Sequence, residues 1–460
     1  MLGKLFAWLF GGRGKARASA SQKEASRHAA TAPAGLVPAD EPAVADDQGV
    51  ALLCREPILG RDRKVVGYHF KLREGSRRKA RSASRVTGHL LAELLVMNLV
   101  RSDIGHLLGH RLAFIDLPDS FLEHPALSAL PPKNMVVMPT RTVREGAPTL
   151  EQLQAALAGL RRKGFRVAIP DPATDAYFRP LLPIADVVVL HAPALDVASG
   201  LKTSGLVVAS APQARLLVRG VPSLEDFRFC FKLGAHFFQG PFITRREDWS
   251  ERNLGPNTLR IAQLIGRLRA GAEIQELAQL LKQDAALSVR MLRYINAAAN
   301  GLQEQVSSIE RALMLLGRDP LYRWLALLVC SSDDESGQNS AALENALVRA
   351  RSMEILASGR PQPEQDALFL TGLLSLIDVV LQVPLERALG PLVLAPEIEE
   401  AIRDNDGPFA SRLALAIACE AADPDAIESA AGQCGVAPRE ATAAHFEALS
   451  WVLEIQGRNG

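Results

Sequence analysis

Two histidines and two aspartates, His69, Asp116, Asp171 and His191, stand at the ends of short apolar runs in the first half of this 460-residue chain. Two imidazoles and two carboxylates can in principle complete a tetrahedral site, and imidazole combined with carboxylate suits Zn or Mn. No paired ligand spacing supports such a site here. Asp171 sits between Pro170 and Pro172, which restrict its backbone. The neighbours that would have to orient each imidazole, Pro170, Pro172, Val189 and Leu190, are apolar or proline. The expectation is therefore no bound metal, with His69 and His191 as neutral side chains bonded to backbone or to the aspartates. Metal-dependent phosphodiester hydrolysis needs several carboxylates to hold two cations and activate water. These run ends supply two Asp among apolar and Pro residues, including Met138 and Pro222. The five cysteines form no CxxC pair, so neither a zinc site nor a disulfide framework is expected, which fits a reducing cytosol.

The elements that must position these residues show up as a change of pattern along the chain. The length predicts two or three domains on a prior of roughly 100–200 residues each. Lys+Arg 52 against Asp+Glu 51 leaves a formal charge of +1, which argues against nucleic-acid binding through bulk charge. Residues 1–48 are expected to be a disordered tail and linker, Ala-, Ser- and Pro-rich after an opening MLGKLFAWLF. That opening lacks the features of a signal peptide. Its helical spacing of Leu2, Leu5, Phe6, Leu9 and Phe10 allows a peripheral membrane contact, although a frayed chain end is the plainer reading. No apolar run reaches the roughly 18–20 residues that span a bilayer. From about residue 50, β-rich runs alternate with helical stretches: Val50–Leu53, Val65–Leu72, Leu112–Ile115, Met135–Met138, Phe165–Ile169, Val187–Leu190, Leu206–Ala209 and His236–Phe238. This predicts a TIM-like α/β barrel over residues 49–248, with chemistry at the strand C-termini. Residues 249–460 carry only helical periodicity, as in Ile261, Leu264, Ile265 and Leu268, and predict an all-α domain that folds separately from the barrel. Asp284 and Ser307-Ser308 are expected to open helices, and Gly317 to stop one. The basic run Arg77, Arg78, Lys79, Arg81 and Arg85 is read as a solvated loop rather than a phosphate grip, and Ser331–Ser340 as a polar loop.

Arg55-Glu56-Pro57-Ile58, Val65-Val66-Gly67-Tyr68 and Leu72-Arg73 resemble the opening of EAL domains, the cyclic di-GMP phosphodiesterases. Gly164–Ala168 is similar to the strand before that family's paired aspartates. Leu224–Cys230, Leu233-Gly234 and Gln239-Gly240 are similar to its last helix and QG turn. The resemblance covers roughly residues 50–245. It implies that His69 stands at the signature Glu, Asp116 at a ligand Asn, and Met138 and Pro222 at Glu positions. Pro170-Asp171 then replaces the paired aspartates, and Val189 and His191 replace a catalytic Lys and its neighbouring Asp. Of the positions that grip substrate, Arg73 and Gln239 match. His69, Arg73, Asp116, Asp171, His191 and Gln239 are thus expected to form a remnant nucleotide pocket, with no catalytic residue, metal or cofactor.

Gln283–Asn296, Ser308–Gly317 and Phe369–Asp378 resemble the HDOD family, the HD-related output domains. The resemblance implies that Ser375 and Leu376 occupy the place of a His-Asp pair, on a helix running through Leu374–Ile377. His445 is apart from any Asp cluster. The expected function is a non-enzymatic bacterial signalling protein, cytoplasmic or peripheral to the inner membrane. Its EAL-like barrel would be a scaffold and its HDOD domain would bind a signalling partner protein. The alternative is a receptor that binds cyclic di-GMP, weakly, without hydrolysis.

Overall fold

The structure, a computed structural model, describes residues 52–73, 85–142, 147–172, 176–194, 197–296, 305–331 and 340–457. The expected N-terminal tail, the basic run ahead of Arg85 and most of the loop after Ser331 lie outside the described residues. The described chain forms a larger compact unit, residues 51–266 with 325–457, and a smaller one, residues 267–324.

In the larger unit, eight strands close into a barrel in sequence order. They are β1 (Leu52–Leu59), β2 (Val65–Arg73), β3 (Leu112–Pro118), β4 (Met135–Thr140), β5 (Arg166–Ile169), β6 (Val187–His191), β7 (Arg215–Arg219) and β8 (Phe237–Phe238). β1 runs antiparallel to β2 and β8, and the other pairs are parallel. Side chains alternate across each strand, and one set fills the interior: Ile58, Leu112, Phe114, Val136, Met138, Ala168, Val187, Val189, Leu217 and Phe237. Gly67 lets β2 approach β3, since a Cβ there would lie 2.4 Å from the Leu112 carbonyl oxygen.

Helices α1 (Arg85–Arg101) and α2 (Ile104–Leu108) follow β2, α3 (Leu150–Arg162) links β4 to β5, and α4 (Val197–Ser210) links β6 to β7. α5 (Leu224–Lys232) precedes β8. Thr149 and Gln152 form a capping box at the start of α3, and Gly164 follows its end at φ +97°. The run Leu206–Ala209 is not a strand; it is the last full turn of α4. Val207 is buried while Val208 is 64% exposed, an asymmetry that a doubly buried barrel strand does not show. The seventh strand is Arg215–Arg219 instead, three apolar residues between arginines.

The helical half begins with α6 (Pro256–Arg269). The smaller unit holds the end of that helix, α7 (Ile274–Lys282), α8 (Ala285–Ile295), α9 (Ile309–Leu316) and the start of α10 (Arg318–Ser331). Asp284 caps α8 by accepting from the Leu287 N–H, Ser308 caps α9 by accepting from the Arg311 N–H, and Gly317 ends α9 at φ +81°. Arg318 donates to the carbonyls of Leu268, Gly271 and Ala272 and so satisfies the end of α6.

The rest of the helices belong to the larger unit: α11 (Ser340–Leu356), α12 (Gln362–Leu374), α13 (Ile377–Leu381), α14 (Leu385–Leu389), α15 (Pro396–Arg403), α16 (Ala410–Ala421), α17 (Pro424–Cys434) and α18 (Pro438–Gly457). The expected continuous helix through Leu374–Ile377 breaks there: α12 ends at Leu374 and α13 starts at Ile377. Ser375 turns its hydroxyl back to donate to the Gly372 carbonyl at 2.7 Å, which competes with helix continuation. Gly372 itself lets α12 cross α11, because a Cβ there would fall 2.6 Å from the Ala350 backbone.

These helices pack on the β1–β2 hairpin. Cys54 is buried in one cluster with Leu415, Cys419, Ile427 and Ala441. Phe70 meets Phe446 with 6.2 Å between ring centroids. Fully burying a side chain of that size contributes roughly 1.5–3 kcal/mol. Tyr68 donates its hydroxyl to Glu344 of α11, and Arg111 donates to the Tyr68 oxygen at 2.8 Å and to Glu344 Oε2 at 3.0 Å. The compact units therefore do not follow the expected division at residue 248.

Candidate functional site at the barrel mouth

The strand alternation that fills the barrel also decides what lines its mouth. Ile58 points inward, so Glu56 does. Phe114 and Met138 bring Asp116 and the β4 end, Val189 brings His191, Leu217 brings Arg219, and Phe237 brings Gln239. On β2 the outward residues are Tyr68 and Phe70, which leaves His69 and Lys71 inside.

These groups form one connected network. Lys71 Nζ donates to Glu56 Oε1 at 2.7 Å. Gln239 donates its amide to Glu56 Oε2 and lies 3.3 Å from His69 Nδ1. His69 Nε2 lies 3.0 Å from Asp116 Oδ2, and Arg219 grips both Asp116 oxygens at 3.0 and 3.2 Å. With the Gln239 amide facing Nδ1, the neutral imidazole carries its proton on Nε2, toward Asp116. Burial pushes His69 down to about 4, and Arg219 adds to this against the pull of Asp116. Asp116 shows the reverse balance: burial would raise its carboxyl, yet His69 and Arg219 hold it well below the usual range. Glu56 is lowered as well, because Lys71 beside it outweighs desolvation.

The structure thus brings together His69, Asp116 and Gln239 of the expected pocket. His191 is exposed at the end of β6; burial and Arg219 lower its proton affinity, and Asp171 and Asp116 oppose them. Asp171 is 2% exposed and close enough to act on His191. Arg73 closes β2 opposite Leu52, and its side chain is outside what is described. Sequence reasoning missed Arg219, Lys71 and Glu56 as members of the site. The alternation along β2 carried the signal for Lys71, two residues past His69. Gly240, after Gln239, is required by close approach: a Cβ would lie 2.3 Å from the Val221 carbonyl oxygen.

A divalent cation does not fit this arrangement. The Arg219 guanidinium already holds both oxygens of Asp116. Among the described residues, no group of three or more His, Cys, Asp and Glu could hold a metal ion. What the mouth offers is two cations, each paired with a carboxylate, together with a buried amide and an imidazole, a polar set that can orient a hydrogen-bonding ligand. Among the described residues, no helix is long and apolar enough to cross a membrane.

Residues 257–388 match the HDOD domain family. The chain is 25% identical over 416 residues to a Vibrio cholerae protein named cyclic di-GMP phosphodiesterase CdgJ, covering 89% of this chain and 94% of that protein. It is 23% identical over 412 residues to the uncharacterized protein YuxH of Bacillus subtilis, covering 87% of this chain and 97% of that one. Among solved structures, an EAL domain protein from Listeria monocytogenes is similar with a TM-score of 0.36 and 15% identity, over 42% of this chain and 87% of that one. A standalone EAL protein from Vibrio cholerae bound to c-di-GMP has a TM-score of 0.34 and 17% identity, over 42% and 90%. The expectation of a protein that is not an enzyme is overturned by the first of these similarities, which runs through both halves to a protein named as an enzyme. The stretch that matches the HDOD domain family, residues 257–388, follows a closed eight-stranded barrel, the order of barrel and helical half that the sequence resemblance implied.

Proposed function

We propose that this is a cyclic di-GMP signalling protein whose barrel mouth receives the dinucleotide and whose helical half contacts a partner protein. The observation that carries the reading is the inward pair of cations, Arg219 and Lys71, set among the hydrogen-bonding side chains of Glu56, His69 and Gln239. A cyclic dinucleotide presents two phosphodiester anions and two purine edges. Guanidinium and ammonium groups suit the first, and amide and carboxylate groups suit the second. The name of the Vibrio cholerae relative supports the same ligand. The expected pocket residues His69, Arg73, Asp116, Asp171, His191 and Gln239 enter this proposal with Glu56, Lys71 and Arg219 added. A partner-binding helical half is supported by Val289, Met314 and Leu315, large apolar side chains each more than half exposed.

Calorimetric titration of the full chain with cyclic di-GMP tests the reading. Product analysis in Mg or Mn accompanies it, so that binding and turnover are read together. Binding that weakens at least tenfold in Arg219→Ala and in Lys71→Ala is expected. Neither heat nor product at ligand concentrations near 0.1 mM (on the order of a −5 kcal/mol interaction) would remove the proposal.

A further inference from the structure

The mouth is not the only place where buried charge asks for a partner. Arg55 on β1 is 2% exposed, and none of Nε, Nη1 and Nη2 has a hydrogen-bond partner among the described residues. Its guanidinium lies 5.1 Å from the Tyr68 ring centroid, a contact that leaves all five N–H donors unused. His445 on α18 is 5% exposed, and both of its ring nitrogens also lack partners among the described residues. Both side chains belong to the elements that meet where β1 packs on α18, and after burial itself the charges of Arg55 and then Arg349 depress the proton affinity of His445.

The carboxylates around them are already engaged. Glu344 is held by Tyr68 and Arg111. Glu420 is held by Arg349, whose remaining nitrogen donates to Ser375 Oγ at 3.1 Å. Among the described residues, neither carboxylate pairs with Arg55, and its positive charge has no ion-pair partner. An isolated buried charge without hydrogen bonds is strongly disfavoured. Water would satisfy the donors and leave the charge. A metal cation would meet only positive and neutral donors.

We infer that the junction between β1 and α18 holds a small oxyanion of the phosphate class, gripped by Arg55 and His445. The planar fork of Arg55 suits two oxygens of one tetrahedral anion, and the His445 imidazole supplies a further unsatisfied donor. The enclosure of both side chains limits the occupant to a small free ion and excludes a dinucleotide. An ion at this point ties the barrel hairpin to the last helix, a role separate from ligand recognition at the mouth.

The test is the melting temperature of the full chain in inorganic phosphate, with chloride and acetate at matched ionic strength, in the parent and in Arg55→Met. Methionine keeps the volume and removes the charge. Phosphate at a hundredfold excess over its Kd should raise the parent midpoint by about 4 °C more than that of Arg55→Met. The variant keeps the general salting effect that phosphate has on any protein, so the difference between the two proteins isolates the site. A parent that ignores phosphate, beside an Arg55→Met that melts higher, would mark a plain unsatisfied charge and overturn the inference. An equal rise in acetate would overturn the phosphate class. Equilibrium dialysis of the parent against labelled phosphate gives a reading independent of the variant: about one ion per chain is expected, and none refutes the site.

Discussion

At the mouth, His69 and Asp116 turn local geometry into a pH dependence. The imidazole of His69 titrates near 4 in the fold and near 6.5 in a free chain. Between those values the unfolded chain binds the extra proton, so this residue's contribution is complete above pH 6.5 and is lost as pH falls through 4. The loss amounts to about 3 kcal/mol. Asp116 acts in the same sense, since its carboxyl is held low in the fold and its contribution disappears as acid protonates it. The urea midpoint should therefore drop between pH 7 and pH 4.5, and the drop should be shallower in His69→Gln. Equal drops in parent and variant would show that another group controls the acid limb. Only His69, Asp116 and Gln239 of this network were foreseen as site residues, because they fall at recognisable positions of a family pattern. Arg219 was not, although it grips both carboxylate oxygens of Asp116.

The reason lies at the level of the element. Leu206-Val207-Val208-Ala209 and Leu216-Leu217-Val218 are both short apolar runs, and periodicity alone does not separate a buried strand from one turn of a helix. Taking the first as the seventh strand left Arg219 in a loop, away from the strand ends where chemistry was sought. Caps with explicit side-chain chemistry, Thr149, Asp284 and Ser308, were legible, as were the strands that begin at Val65, Leu112, Met135 and Val187. The break after Leu374 was not, because it depends on a serine bonding back to Gly372 and not on Pro or Gly punctuation. Two substitutions check the strand assignment. Val208→Glu should stay within about 0.5 kcal/mol of the parent, as an exposed helix position does. Leu217→Glu should prevent folding, since it buries a carboxylate inside the barrel. Circular dichroism melts of both proteins decide it, and severe loss in the first with tolerance in the second would return the strand to residues 206–209. At the helix crossing, Gly372→Ala should cost roughly 1–3 kcal/mol through overpacking against Ala350.

Across the whole molecule, the larger unit joins two patterns that look independent in the sequence. The alternation of β1 and β2 sends Tyr68 and Phe70 outward, and outward on this hairpin means into helices α11 and α18. Nothing in the helical periodicity announces this, because an apolar helix face does not say which neighbour it will meet. Among the described residues, the joint includes the cluster around Cys54, the Phe70–Phe446 contact and the Tyr68–Arg111–Glu344 group. The last is the most exposed to mutation. Glu344 is 2% exposed and accepts from both partners, so Glu344→Ala leaves the Arg111 guanidinium and the Tyr68 hydroxyl partly buried without their acceptor. Breaking a buried pair from one side costs roughly 3–5 kcal/mol. Because the joint spans barrel and helices, that loss should lower the midpoint of a transition reported by both, and not melt the helices ahead of the barrel. The same logic applies to a fragment of residues 249–460. It would keep the helical sequence but expose Leu415, Cys419, Ile427 and Ala441 where Cys54 had covered them, and leave Glu344 without Tyr68 and Arg111. Its melt should be broader and lower than that of the full chain, and adding the barrel fragment, residues 49–248, should sharpen it. A fragment that melts as cooperatively and as high as the full chain would show that the joint contributes little, and that the division at residue 248 is the one the energetics follow.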